Sequence, residues 1–247
     1  MELLKKLYVP HILLARSRLE TDSSLRRLMD PTIKPMLLER FLIEWMSRVG
    51  YMTQPMDGWI RRTGERCIEL GMETLGQSLI IHAESERGHH LLAIDDARAL
   101  VSHWNARYTP KLNAEKLISR APTRSMMDYR ELHDATIAGP FPVGQVAIER
   151  EIGFLVVHFG PRLFEQVEHV LGMEIADKLT FLAENVAVDL GHTLLNEKML
   201  EEVLSHSPEH AQVYAEVGAQ ALTTYIRFLG DCLLIAEDAL FSLRAVA

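Results

Sequence analysis

The sequence is poor in the features that staple, anchor or charge-steer a protein. It holds only two cysteines, Cys67 and Cys232, far apart and in no CxxC pair. That scarcity excludes a disulfide scaffold and a thiolate metal site and suits a reducing compartment. An excess of basic residues is also missing: 26 Lys and Arg stand against 34 Asp and Glu, a formal net charge of −8. Nucleic acid and anionic lipid are therefore excluded as expected partners. The longest apolar stretches, such as Phe154 to Phe159, fall far short of the roughly 20 residues of a membrane helix. Near the start, Pro10 and His11 interrupt the apolar residues, and no small-residue cleavage site follows, unlike a secretory signal. No run of alternating β-branched residues argues for a sheet. The expectation is a soluble, cytoplasmic chain with no membrane partner.

What remains is an ordinary globular composition with helical periodicity: 48% hydrophobic and 24% charged residues, enough apolar material for a substantial core. The pattern predicts a helix from Met36 to Val49, with Pro35 in its first turn, and another after Pro55 and Gly58. Leu75 to Trp104 reads as one long helix despite Gly88. Pro110, Pro122 and scattered polar residues mark a loop, and Gly139-Pro140-Phe141-Pro142 punctuates the chain again. Helices follow from Val143 to Phe159, from Gly160-Pro161 to Leu171, from Ile175 to Leu204, and from Pro208 to about Leu243. Seven or eight helices with short connections predict an all-α bundle forming a single domain over residues 1–247.

The chemistry is concentrated in His82-Ala-Glu-Ser-Glu86-Arg-Gly-His89-His90. On a continuous helix, positions i, i+4 and i+7 put His82, Glu86 and His89 on one face. Asn185-Val-Ala-Val-Asp189-Leu-Gly-His192 repeats the spacing, with Asn185 in the place of His82. An acid three residues before a histidine should arise by chance roughly once or twice in a chain of this composition. Glu86/His89 and Asp189/His192 are the two instances, so the argument rests on the fuller matching segments. A carboxylate and an imidazole at i and i+3 can reach one metal from one helix, and bundle-borne di-iron sites use the device twice with single glutamates from two further helices. Hard oxygen donors with imidazoles suit iron that reacts with oxygen. The competing reading is a charged face of Glu84, Glu86, Arg87, Asp95 and Asp96 in surface pairs. Against it, the His82 stripe continues to Leu75, Leu79 and Ala93 and the Asp189 stripe to Phe181, Leu182 and Leu200, and buried polar groups need partners.

Two more carboxylates are required. Glu44 is favoured over Glu39 because its separation from Glu86 suits adjacent antiparallel helices, although Arg40 and Arg48 stand one turn to either side. Glu149 and Glu151 both lie among apolar residues, and the sequence does not separate them. The expected ligand set is therefore Glu44, His82, Glu86, His89, Glu149, Glu151, Asp189 and His192.

The run His82-Ala-x-x-Glu86-x-Gly-His89, then Asp96 and Trp104-Asn105, with Asp189-x-Gly-His192-Thr later, resembles the heme-oxygenase-like di-iron oxidases. The likeness spans about Met36 to Leu200. It implies a seven-helix fold shared with the thiamin-salvage TenA proteins, two ferrous ions rather than heme, and dioxygen activation. Members carry out N-oxygenation, desaturation, C–C cleavage or oxidative decarboxylation of amino acids and fatty acids, often in natural-product pathways. Their late-helix signature is His-x3-Asp-x2-His; Asp189 and His192 match its last two positions and Asn185 departs from the first. The resemblance implies an oxidoreductase whose partners are a small organic substrate and dioxygen, with Arg62, Arg66 and Arg150 as candidate carboxylate holders and a homodimer left open. Two alternatives stand beside it: a metal-independent TenA-like or PqqC-like protein of the same fold, and a ferritin-like helical protein.

Overall fold

The computed structural model describes residues 1–244, apart from the side chains of 188–190, 192, 243 and 244. Among the described residues there is no strand, and no helix is long and apolar enough to cross a membrane. A π-helical turn at Leu4–Tyr8 leads into α1 (Val9–Arg16), α2 (Arg18–Thr21) and α3 (Ser23–Leu28), the last capped by the Asp22 carboxylate. There follow α4 (Pro35–Thr53), α5 (Met56–Glu69), α6 (Glu73–Ser85), α7 (His89–Arg107), α8 (Ala114–Ile118) and α9 (Arg124–Ala138). The chain ends with α10 (Gly144–Leu171), α11 (Met173–Ala176), α12 (Thr180–His206), a 3-10 turn and α13 (Ala211–Arg244). One continuous apolar cluster runs from Leu4 to Ala236.

Several boundaries differ from the periodicity reading. The stretch from Leu75 to Trp104 is two helices, because Gly88 adopts φ +84° and ends the run. That left-handed conformation is open to glycine and costly for other residues. Conversely, Gly160-Pro161 does not break the chain: α10 continues through it. Phe159, Leu163 and Val167 form one buried stripe across the proline, and Gly160 lies against Val186 and Leu182 of α12. Packing outweighs the missing N–H. The segment between Pro122 and Gly139, read as loop, contains α9, started by Thr123, whose hydroxyl accepts from the Met126 N–H. Residues 175–204 are divided at Asp177–Leu179, before α12. Asp96 of α7 caps α12 from outside, accepting from Thr180 Oγ1 at 2.6 Å and the Phe181 N–H at 2.8 Å. Asn105 bonds both backbone groups of Leu112, so it clamps the loop after α7.

α5 and α6 form an antiparallel pair, held close by facing glycines. A Cβ on Gly64 would stand 2.6 Å from the Gly76 carbonyl oxygen. α10 lies between α12 and α13, and α4 packs on α7 and α13. Between these layers is the site.

Candidate functional site

A partly open cavity of about 110 Å³ lies between the helices. Its wall is mainly apolar: Phe159 and Leu163 of α10, Phe181 and Leu182 of α12, and Leu229 of α13 contribute, with Trp45 of α4. His82, Glu86, His89, His90 and Glu149 border it, as do Tyr129, Asn185, Asn196 and Tyr225. No lysine or arginine is among the lining residues.

His82 and Glu149 come from different helices, and His82 Nε2 stands 3.5 Å from Glu149 Oε2. The other face of His82 meets Ser85, whose hydroxyl is 3.3 Å from Nδ1. Glu86 lies at the end of α6 and His89 opens α7, with Glu86 Oε2 3.1 Å from His89 Nδ1. The three residues thus share the cavity, but not by lying on one helix face. The break at Gly88 turns the chain and brings His89 back beside Glu86.

Glu149 also accepts a hydrogen bond from Gln145 Nε2 at 2.7 Å. Gln145 in turn meets buried His133 of α9, Oε1 to Nδ1, at 2.8 Å. Burial pushes the His133 imidazole down to about 3, so it is neutral. Burial raises the Tyr129 phenol, with Tyr225 and Glu149 adding to the shift. Among the described residues, three buried polar atoms on the cavity's lining residues have no hydrogen-bond partner: Trp45 Nε1, Tyr129 OH and Asn196 Oδ1.

Glu44 and Glu151 do not line the cavity. Glu44 is fully buried and pairs with Arg40 and Arg48, one turn to either side, with Arg120 3.5 Å away. Glu151 is also fully buried; Arg16 Nε and Nη2 reach its two oxygens at 2.8 Å each, Arg150 at 2.5 Å and Tyr8 OH at 3.0 Å. Burial pushes its carboxyl up to about 7, opposed by Arg150 and by the Tyr8 hydrogen bond. Each is a counter-ion for guanidinium groups away from the cavity, where both were expected among the metal ligands. Glu39, the alternative to Glu44, pairs with Arg107 and lies 3.3 Å from His103. The three arginines expected to face a substrate carboxylate are engaged elsewhere: Arg62 with Asp134, Arg66 with Glu69, and Arg150 with Glu151 and Glu197.

Asp189 and His192 are on α12, and their side chains lie outside the described residues. Asn185 donates from Nδ2 to the Phe181 carbonyl at 2.6 Å. Among the described residues, no three His, Cys, Asp or Glu side chains converge closely enough to hold one ion. Cys67 and Cys232 are buried free thiols; burial pushes Cys67 up to about 11 and raises Cys232 as well.

The chain superposes with a TM-score of 0.75 on a domain of unknown function with a heme oxygenase-like fold from Shewanella denitrificans OS217. The likeness covers 97% of this chain and 94% of that one at 18% sequence identity. The chain has a heme oxygenase-like fold. No protein-family model matches the sequence, and no curated protein does. At this identity the likeness extends to the fold alone, and activity must be argued from the site.

The residues that sequence reasoning missed are Trp45, Tyr129, His133, Gln145 and Asn196. A signal existed for Tyr129 and His133: Met126, Tyr129, His133 and Ile137 recur at helical spacing within the supposed loop.

Proposed function

We propose that the protein is a non-heme iron oxidase or oxygenase that oxidises a small organic molecule held in the central cavity. The observation that carries this reading is the placement of two His–carboxylate pairs, His82/Glu149 and Glu86/His89, on the border of one largely apolar cavity. Imidazole nitrogens and carboxylate oxygens are the donor types that ferrous iron accepts. His82, Glu86, His89 and Glu149 would hold the iron, with Asp189 and His192 entering on sequence spacing and resemblance. Two ions are expected. Bound there, iron supplies the ability to activate dioxygen.

The chain's own residues supply binding and orientation. Phe159, Leu163, Phe181, Leu182 and Leu229 take the apolar body of the substrate and keep water out. Trp45 Nε1–H and the Tyr129 hydroxyl can donate to a substrate polar group, and Asn196 Oδ1 can accept from one. The small volume argues for a compact substrate rather than a long acyl chain. With no arginine or lysine on the wall, a substrate carboxylate would find no guanidinium or ammonium partner.

The test is anaerobic titration with ferrous iron, followed by oxygen exposure and optical spectroscopy. The reading expects up to two ions per chain and an oxygen-dependent spectral change, both lost in His82→Ala and in Glu86→Ala. A protein that binds no iron tightly under those conditions is not this enzyme. A second reading has the same cavity bind its ligand without metal. It is favoured by the lack of any three converging ligand side chains among the described residues. It expects organic-ligand binding that is indifferent to chelators.

A further inference from the structure

Glu149 differs from the other buried acids in what holds it. Among the described residues no lysine or arginine pairs with it. Its hydrogen-bond donor is the neutral amide of Gln145, one turn earlier on α10, at 2.7 Å. That amide is itself held at the other end by His133, at 2.8 Å. Both His133 and Gln145 are completely buried. His133 stacks on Trp59, with ring centroids 3.8 Å apart and planes 8° from parallel. The Trp59 indole is fixed in turn by a 3.0 Å hydrogen bond from Nε1 to Asp134, which pairs with Arg62 at the surface. A connected series therefore runs from a surface ion pair to a carboxylate in the cavity.

The direction of the series follows from which atoms can be satisfied. Protonated on Nε2, His133 would bury an N–H with no acceptor, because Nε2 has no partner among the described residues. Protonated on Nδ1, it donates to Gln145 Oε1 and leaves only an unfilled acceptor, the less costly vacancy. The amide then has a single good orientation, with Nε2 toward Glu149. Rotated by half a turn, it would set its oxygen against the carboxylate and its NH2 against the imidazole N–H.

We propose that His133 is a positioning residue for the cavity: by donating from Nδ1 to Gln145 Oε1 it locks the amide so that Gln145 Nε2 holds the Glu149 carboxylate in one orientation. This rests on reading the cavity as the functional site, and the experiment separates the two ideas.

Nitrogen-15 NMR of the full, unsubstituted chain reports the imidazole tautomer directly. The proposal requires His133 to be a neutral Nδ1–H tautomer at pH 7; an Nε2–H tautomer overturns it. The second measurement is optical titration with cobalt(II). His133→Phe retains a ring against Trp59 but removes the donor, and Gln145→Met keeps the length but removes both hydrogen bonds. Each should weaken cobalt binding about 10-fold or more, as loss of an outer partner of a ligand does. The double variant should be no weaker than the worse single one, because both break the same series. Additive losses, or unchanged affinity in His133→Phe, would overturn the proposal. An unsubstituted protein that binds no cobalt defeats the metal reading of the cavity instead, and the His133 tautomer then decides the proposal alone.

Discussion

Replacing Glu44 with Gln separates a structural counter-ion from a metal ligand more sharply than any other single change. The substitution preserves volume but removes the carboxylate with which Arg40 and Arg48 both pair. Those arginines are 4% and 6% exposed, so little water can replace the lost carboxylate. Arg120 is 43% exposed on its side chain and adds little, since solvent screens it. Arg40 Nε and Arg48 Nε already lack partners among the described residues. Leaving a buried charge without its partner costs roughly 3–5 kcal/mol. For a chain of 247 residues, an unfolding entropy of roughly 2.1 cal/mol/K per residue gives about 0.5 kcal/mol per degree. The expected fall in Tm is therefore about 6–10 °C, read by calorimetry, while the cobalt affinity of the protein that remains folded should be unchanged. A variant that melts within a degree or two of the parent yet loses cobalt would refute the counter-ion assignment and restore Glu44 to the metal centre.

Three further outcomes follow from the structure. Gly88→Ala forces a side chain into the φ +84° turn between α6 and α7; a cost of about 1–2 kcal/mol should lower Tm by roughly 2–4 °C. Gly64→Ala sets a Cβ 2.6 Å from a backbone oxygen of α6; it should destabilise by about 1–3 kcal/mol in denaturant unfolding, and an unchanged midpoint would mean that α5 and α6 do not cross as closely as observed. His133, held down to about 3 by burial, is neutral in the folded chain at a pH where the unfolded chain is protonated. Stability should therefore fall as pH drops from about 6.5 toward 3, by up to about 1.4 kcal/mol per unit, and His133→Phe should flatten that slope.

The helices legible in the sequence are those whose ends carry explicit chemistry. Pro35 opens α4, and Pro208 precedes α13, both close to their expected starts. The misread boundaries have a common cause: a single residue's local preference was weighed without its tertiary partners. Apolar periodicity continues on both sides of Gly88 and predicts one helix, yet its φ interrupts the run. Pro161 predicts a stop, yet α10 continues through it with a buried stripe on either side. α9 was hidden between Pro122 and Pro140, and with it went His133. For the site, the His82–Glu86–His89 spacing selected residues that do border one cavity, although a turn rather than a shared helix face joins them. Choosing between Glu149 and Glu151 lay beyond periodicity, because both point into protein. The partner that distinguishes them, Arg16, comes from α1, more than a hundred residues away in sequence.

That distinction is the strongest physical argument for where chemistry can occur. A buried carboxylate must be compensated, and the compensation determines what capacity it has left. Glu44 and Glu151 receive guanidinium groups at both oxygens, which uses their charge and most of their acceptor sites in holding helices together. Replacing either should be felt mainly as lost stability. Glu149 receives an amide on one oxygen and faces an imidazole at 3.5 Å from the other. A neutral amide orients a carboxylate without supplying the opposite charge that a guanidinium would, so the Glu149 oxygens are less fully engaged than those of Glu44 and Glu151. Glu149→Gln should be close to neutral for Tm, because no arginine or lysine among the described residues pairs with Glu149, while cobalt binding falls by an order of magnitude or more. The opposite pattern, a melting temperature several degrees lower with cobalt affinity intact, would place Glu149 with the counter-ions and leave the cavity without its anionic group on α10.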